Sequence, residues 1–272
     1  MDTLTYFASQ SALTDLGGYA EQVAALPADV AGICKAIQGL FLDYRERYKY
    51  PIVNERLLCT NARYVKAVIG WVMKLGKNAP LTEARIDENW FTATCSDYAN
   101  LFVAVARAKG MPARKRVGFV GTETWEVAEY WDGKAWVVVD PSGLAKGEFV
   151  PAWKVWQDCR AGKLDPAQFK DDCNSKLTGW AVIRNSLMLD LAAMNKFELL
   201  TWDRYGWMNR CVCEMSDRAW EILDQAAAVL ASADKDFDAV QALYEAQEGL
   251  QVPRVIWCDS PVAPPHKVEL TF

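Results

Sequence analysis

Cys95 stands where an amphipathic helix is expected to begin, and its reactivity depends on that position. The segment 91–114 reads FTATCSDYANLFVAVARAKGMPAR. Thr94 and Ser96 are suitable caps, an apolar stripe follows at helical spacing, and Gly110 with the Met-Pro pair after it ends the pattern. The sequence therefore predicts a helix with Cys95 at its N-terminus.

A thiol at that position has two interpretations. The dipole and the unpaired N–H groups of a helix N-terminus favour an anion, and they can lower a thiol pKa by about one unit or more from about 8.5. The same N–H groups could form an oxyanion hole for acyl transfer. Alternatively, Cys95 is a small buried residue that starts a core helix. A nucleophile also needs a base, and the chain contains one histidine, His266.

Charge and hydropathy exclude several classes of function. The net charge is −5 with a pI near 5.1, so no nucleic-acid partner is expected. No apolar run approaches about 20 residues, and the N-terminus lacks a signal-peptide pattern, so no membrane span or leader is expected. One basic cluster is interpreted as a solvated helix end and strand face. Its members are Arg107, Lys109, Arg114, Lys115 and Arg116.

Eight scattered cysteines favour reduced thiols in the cytoplasm over a disulfide framework. They are Cys34, Cys59, Cys95, Cys159, Cys173, Cys211, Cys213 and Cys258. The Cys-Val-Cys run at 211–213 lacks the two-residue spacer of common zinc and redox motifs, and no histidine accompanies it. We expect these two residues to be core or surface thiols, with no metal and no cofactor.

Hydrophobic periodicity predicts helices, then antiparallel strands, then helices. Residues 1–90 are expected to be mostly helical, and the period changes to two after Arg114. Asp132-Gly133 predicts a hairpin turn, and a Pro-rich C-terminal tail is expected to be extended. The predicted elements are helices near 26–37, 65–73, 95–109, 151–160, 180–199 and 216–247, and strands near 115–121, 124–131 and 135–140. The fold class is α+β.

Several motifs in order resemble the bacterial transglutaminase-like domain. They are Cys-x-Asp-Tyr-Ala-x-Leu-Phe, Arg-x-x-Gly-Met-Pro-Ala-Arg, a strand ending Val-Gly-Phe, and Tyr-Trp-Asp-Gly-Lys-x-Trp-Val-Val-Val-Asp-Pro-Ser. The resemblance runs from about Asn89 to Gly143, and flanking stretches extend it over most of the chain. It implies a papain-like fold in which a nucleophile helix packs on an antiparallel sheet, with additional N- and C-terminal helices. It implies one domain over 1–272, with a helical part at 1–88, the core at 89–150 and a helical extension at 151–272.

The resemblance also implies roles for individual residues. Cys95 matches the nucleophile, and Asp140 matches the carboxylate that orients a histidine. That histidine should stand on the first hairpin strand, where the count from the turn falls on Trp125, or on Thr124 with a shift of one residue. Neither position holds a histidine. Tyr98, Trp125 and Trp202 are expected to line the cleft.

A missing imidazole removes the usual mechanism. The histidine takes the thiol proton and later donates a proton to the leaving group. Asp140 is a poor replacement, because an ordinary carboxylate with a pKa of about 4 is a weak acid catalyst at neutral pH. Beside Cys95 its charge would raise the thiol pKa by like-charge repulsion.

Three alternatives to the usual mechanism stay open. A buried glutamate could act, and Glu123, Glu126 and Glu129 are on the right strand. Strand alternation puts Glu123 on one face and Glu126 on the other, so only one of these two can face the thiol. His266 could fold back from the tail. Finally, the cleft could bind a peptide or acyl group without turnover.

Two functions therefore compete. The first is a cysteine hydrolase or acyltransferase that acts on amide or peptide bonds through Cys95, with an impaired or altered site. The second is a non-catalytic binding or scaffold protein that uses the same cleft for a peptide or a small molecule. Both imply a peptide, protein or small amide as the partner, and a cytoplasmic location.

Overall fold

Helices account for 48% and strands for 16% of the described residues, which is a mixed helix-and-sheet structure. A computed structural model describes residues 2–50, 52, 54–86, 89–171 and 177–272. Cys173 lies outside the described residues. The chain divides into two compact units. The first unit is Met1–Lys115, Val127–Leu144 and Phe272, and the second is Arg116–Glu126 and Ala145–Thr271.

Six helices and a parallel strand pair build most of the described part of the first unit. The helices are α1 (Thr3–Ala8), α2 (Ala20–Ala24), α3 (Val30–Leu40), α4 (Asn54–Leu57), α5 (Val65–Leu75) and α6 (Cys95–Ala108). The strands β1 (Phe41–Asp43) and β2 (Phe91–Ala93) pair in parallel, with Phe41 opposite Phe91. Strand β2 ends two residues before Cys95, so this pairing holds the entry to α6.

Two long strands contribute to both units. They are β3 (Ala113–Val120) and β4 (Glu123–Trp131), and the sheet order is β5-β4-β3-β6 with β5 at Trp136–Val139 and β6 at Phe149–Pro151. Strand β5 pairs antiparallel with β4 within the first unit, and β6 pairs antiparallel with β3 within the second. The turn at Asp132-Gly133 joins β4 to β5, as the sequence predicts, and Gly133 has a φ of +100°.

The second unit continues with four helices and a three-stranded antiparallel sheet. The helices are α7 (Ala152–Arg160), α8 (Trp180–Met194), α9 (Asp217–Ala231) and α10 (Phe237–Ala246). The sheet order is β7-β8-β9, with β7 at Asp203–Arg204, β8 at Val255–Cys258 and β9 at His266–Glu269. Across the described part of the chain, none of the helices is both long and apolar enough to cross a membrane.

Helix α6 is the centre of the first unit's core. Nearly every residue of α6 is buried, and α3 and α5 both pack against it. Ala128 of β4 belongs to the same core, and the ring of Phe102 lies 6.4 Å from the ring of Tyr130. Because α6 is held on several sides, the position of Cys95 at its start is well defined.

Most predicted elements are confirmed, and the differences have local causes. The helix expected over 180–199 ends at Met194, because the Asn195 side chain donates to the Leu191 carbonyl and Lys196 adopts a φ of +64°. The pattern at 216–247 forms two helices instead of one, and Asp236 caps the second. The tail is extended, as predicted, and part of it forms β8 and β9.

The interpretation of the basic cluster as solvated is wrong. Arg107, Arg114, Lys115 and Arg116 are all buried, and only Lys109 is partly exposed. Each buried cation has polar partners that replace water. The Arg107 guanidinium, for example, donates to backbone carbonyls at 2.9 and 3.2 Å.

The expectation of free thiols at 211–213 is also wrong. Cys211 and Cys213 form a disulfide, because the extended backbone of Cys211 and the 3-10 turn at Val212–Glu214 bring the two sulfur atoms together. The other described cysteines are free, as predicted.

Candidate active site

The start of α6 is fixed by a reciprocal pair of side chains. The Asp97 carboxylate accepts hydrogen bonds from the Thr94 backbone N–H at 2.7 Å and from the Thr94 hydroxyl at 3.0 Å. Thr94 is therefore the N-cap, as its sequence position predicts, and Cys95 is the first helical residue. The Cys95 side chain is half-buried. The dipole and the free N–H groups of a helix N-terminus favour an anion at this position.

A buried lysine lies beside the residue that follows Cys95. The Lys115 ammonium on β3 donates to the Ser96 hydroxyl at 2.7 Å, and both side chains are buried. Sequence reasoning missed this contact, because alternation on a strand predicts one solvated face. Strand β3 is instead buried on both faces over most of its length.

Asp140 follows β5 and organises the turn after it. Its carboxylate accepts from the Ser142 backbone N–H at 3.0 Å, from the Ser142 hydroxyl at 2.6 Å and from the Leu144 N–H at 3.1 Å. An aspartate that bonds the backbone two residues later is a common turn-forming arrangement. The Asp140 oxygens thus hold the 140–144 turn in shape.

The Asp140 turn gives a first testable expectation. Asp140→Ala should lower the free energy of unfolding by about 1–3 kcal/mol, because the two donors of buried Ser142 lose their acceptor. Asp140→Asn keeps one carbonyl oxygen and should cost clearly less. Urea denaturation of the wild type and the two variants measures the difference. Equal stability of all three proteins would show that the turn does not depend on this carboxylate.

Negative charge surrounds Tyr98, one helical turn beyond Cys95. Burial, followed by the charges of Asp43, Asp97 and Asp140, raises the pKa of the Tyr98 hydroxyl well above its usual value. Burial, and after it the Asp140 charge, raises the pKa of the Cys34 thiol to about 11. Asp140 therefore acts electrostatically on the part of the first unit that contains Tyr98.

A cleft of about 430 Å³ lies within the first unit and includes Tyr98. Part of the lining comes from α3 and β1, and another part comes from the turn after Asp140. The Gln38 side chain donates to the Pro141 carbonyl at 3.0 Å and links these two parts. The lining residues are Gln38, Phe41, Leu42, Asp43, Glu46, Tyr50, Trp90, Tyr98, Ser142, Gly143 and Leu144.

The cleft combines aromatic rings with carboxylates. Phe41 and Tyr98 pack edge to face at 5.0 Å, and so do Tyr50 and Trp90. The Asp43 carboxylate accepts two hydrogen bonds from the Arg45 guanidinium, at 2.8 and 2.9 Å. Apart from Tyr98, sequence reasoning missed these residues, because they come from segments far apart in the chain and share no motif.

Thr124 and Trp125, the positions expected for the histidine, belong to the second unit. The candidate bases Glu123 and Glu126 belong to it as well. Glu123 is partly exposed, and its carboxylate lies 3.0 Å from the Lys170 ammonium. Thr124 is half-buried, and its backbone N–H donates to the Lys170 carbonyl at 3.3 Å. Trp125 and Glu126 are both buried.

His266 and Trp202 also belong to the second unit. His266 is exposed at the first position of β9, and its Nδ1 lies 2.9 Å from the Pro264 carbonyl oxygen. Trp202 is fully buried in a small apolar cluster with Leu200 and Cys258. Within the described residues, no group of three or more His, Cys, Asp or Glu side chains is arranged to hold a metal ion.

The comparisons with known proteins identify one part of the chain. No curated protein and no solved structure matched the chain. Residues 57–141 match the family described as the transglutaminase-like superfamily. This range includes β2, the whole of α6, and Asp140 at its C-terminal edge. Residues 57–141 are therefore a transglutaminase-like superfamily domain.

Proposed function

We propose that this domain descends from a cysteine hydrolase or acyltransferase of papain-like arrangement, and that its chemistry is impaired in this chain. Cys95 is the ancestral nucleophile and Asp140 the ancestral orienting carboxylate. The observation that carries the proposal is the histidine count. The only histidine, His266, is exposed on a paired strand of the second unit, and the first unit contains none.

The loss of the imidazole has a specific chemical consequence. Amide cleavage by a thiol needs a group that removes the thiol proton and then protonates the leaving amine near neutral pH. Asp140 is engaged with donors at Ser142 and Leu144, and Asp97 is engaged with Thr94. These contacts give both carboxylates a structural use. The proposal is therefore a domain that keeps the nucleophile helix while turning over amides slowly or not at all.

The cleft supports binding as the retained function. Its volume of about 430 Å³ is in the range of sites for small ligands or a few peptide residues. The aromatic lining suits apolar groups, and the faces of aromatic rings also attract cationic groups. We propose a peptide, protein segment or small amide as the partner, in a reducing compartment.

One observation favours a second candidate function. The buried Lys115 ammonium lies next to the residue after Cys95. A cation close to a thiol stabilises the thiolate, and cysteines next to lysine are reactive for that reason. In this alternative Cys95 keeps thiol chemistry, with Lys115 in place of an imidazolium as the activating charge.

Alkylation of Cys95 separates the two candidates. At a pH of about 6 and with iodoacetamide, we expect Cys95 to react at the rate of an ordinary cysteine. A thiol pKa lower by about two units would instead give a roughly tenfold faster reaction, since the gain in thiolate is partly offset by lower nucleophilicity. Mass spectrometry of digested protein measures the rate at Cys95, and Cys95→Ala confirms the assignment.

Lysine variants complete the experiment. Lys115→Met should leave the rate at Cys95 unchanged under the main proposal. Lys109→Met is the matched control, because Lys109 bonds the Ala24 carbonyl instead of the α6 N-terminus. The main proposal would be overturned if Cys95 is labelled fast in the wild type, if Lys115→Met abolishes the fast labelling, and if Lys109→Met does not. That combination would support the second candidate.

A further inference from the structure

The Cys211–Cys213 disulfide lies on the surface of the second unit. Both cysteines are exposed, and one residue, Val212, separates them. The Cys213 backbone N–H donates to the Cys211 sulfur at 3.4 Å, within the 3-10 turn at Val212–Glu214. The cross-link and the turn are thus a local feature of a few residues.

This disulfide is poorly placed to stabilise the fold. A cross-link stabilises mainly by restricting the unfolded chain, and the restriction grows with the number of residues in the closed loop. Here the loop contains a single residue between the two cysteines, so the restriction is close to the smallest that a disulfide can impose. A structural role therefore does not account for it.

The Arg184 side chain holds the chain on both sides of the turn. The buried guanidinium of Arg184 donates to the Arg210 carbonyl at 3.0 Å and to the Met208 carbonyl at 3.2 Å. The same group lies 3.5 Å from the Met215 sulfur. These contacts flank the disulfide and do not involve its sulfur atoms. Cleavage of the S–S bond should leave the flanking chain in place.

Four of the five remaining described cysteines are shielded from redox partners. Cys34, Cys59, Cys159 and Cys258 are buried free thiols, and Cys95 is half-buried. Burial raises the pKa of Cys34, Cys59 and Cys159 to about 11, which keeps them as inert thiols. Among the described cysteines, the 211–213 pair is the one oxidised couple, and it is exposed.

We propose that Cys211 and Cys213 form an exchange site for small thiols such as glutathione. The thiolate of a first molecule attacks one sulfur, the S–S bond breaks, and a mixed disulfide forms. The thiol of a second molecule then attacks the small-molecule sulfur of the mixed disulfide and releases the protein sulfur as a thiol. The products are two protein thiols and the disulfide of the small thiol, so two electrons and two protons pass to the protein. Exposed disulfides are the exchangeable ones in proteins, whereas structural ones resist the glutathione pool.

The test uses the 272-residue chain, equilibrated with mixtures of reduced and oxidised glutathione and then alkylated. Mass spectrometry counts the blocked thiols on the peptide that contains both cysteines. We expect this peptide to change from no label to two labels within the range of mixtures that glutathione buffers. The buried cysteines Cys34, Cys59, Cys159 and Cys258 should stay unlabelled, and the melting temperature should be the same in both redox states.

The Cys211→Ala/Cys213→Ala double variant is the matched control. It should keep the wild-type melting temperature and lose the redox-dependent labelling. Three outcomes would overturn the proposal. The first is a 211–213 peptide that stays unlabelled in excess reduced glutathione. The second is a marked fall in melting temperature on reduction, which would assign a structural role. The third is full labelling before any reductant is added.

Discussion

Asp190→Ala is expected to destabilise the second unit by about 3–5 kcal/mol, because it removes the carboxylate that forms an ion pair with a buried guanidinium. The Asp190 carboxylate on α8 is 0% exposed. It accepts two hydrogen bonds from the Arg116 guanidinium, at 2.9 and 2.8 Å, and one from the Val117 backbone N–H at 2.8 Å. Alanine would remove all three acceptor contacts while Arg116 stays buried.

Denaturation by urea, followed by tryptophan fluorescence, measures the effect of Asp190→Ala. Trp156 of α7 and Trp220 of α9 stack at 5.3 Å within the second unit, so their emission reports its packing. The control is Glu221→Ala, whose carboxylate pairs with Arg218 on the surface, with 62% and 65% of the two side chains exposed. Surface pairs contribute about 0.2–1 kcal/mol. An effect of Asp190→Ala as small as that of the control would contradict the expectation.

The second large effect concerns the Arg114–Glu129 pair in the first unit. The Arg114 Nε donates to the Glu129 carboxylate at 2.6 Å, and only 1% of the Arg114 side chain is exposed. The guanidinium also lies over the Trp136 ring, 4.0 Å from its centre. Glu129→Ala would leave this cation buried, and we expect a loss of about 3–5 kcal/mol.

A double-mutant cycle tests whether the two groups act as a pair. Arg114→Ala/Glu129→Ala should cost less than the sum of the single variants, with a coupling energy of about 1–3 kcal/mol. The matched cycle on Lys66 and Asp15, an exposed pair of the same unit at 3.0 Å, should give a coupling below about 1 kcal/mol. Strict additivity of Arg114 and Glu129 would show that burial of each group, and not their contact, sets the stability.

The helices and the β4–β5 hairpin could be predicted because their signals are local. Helix α6 has its cap, its stripe and its terminating glycine within one segment, and Asp132-Gly133 specifies the turn. Strands β1 and β2 could not be predicted. Each has three residues, all buried, so neither shows alternation, and each is stabilised by a partner about 50 residues away in the chain.

The residues of the candidate site also differ in whether their signals are local or depend on distant segments. Cys95 and Asp140 could be proposed from the sequence because each lies within a short contiguous motif. The contact of Lys115 with Ser96, the use of Asp140 as a turn acceptor and the cleft lining all depend on packing between distant segments. The charge pattern was misleading for the same reason, since burial of Arg114 and Arg116 depends on Glu129 and Asp190 elsewhere in the chain.

The parallel pairing of β1 with β2 limits how this protein can be divided into fragments. The matched range 57–141 contains β2 but not β1, and it omits Gln38 and Asp43 from the cleft wall. A recombinant fragment cut at residue 57 would expose the backbone edge of β2 and the apolar face of α6 that α3 covers. Both exposed surfaces favour aggregation. An expressible piece of the first unit should therefore begin ahead of α1, where the Phe7 carbonyl still accepts from Arg107.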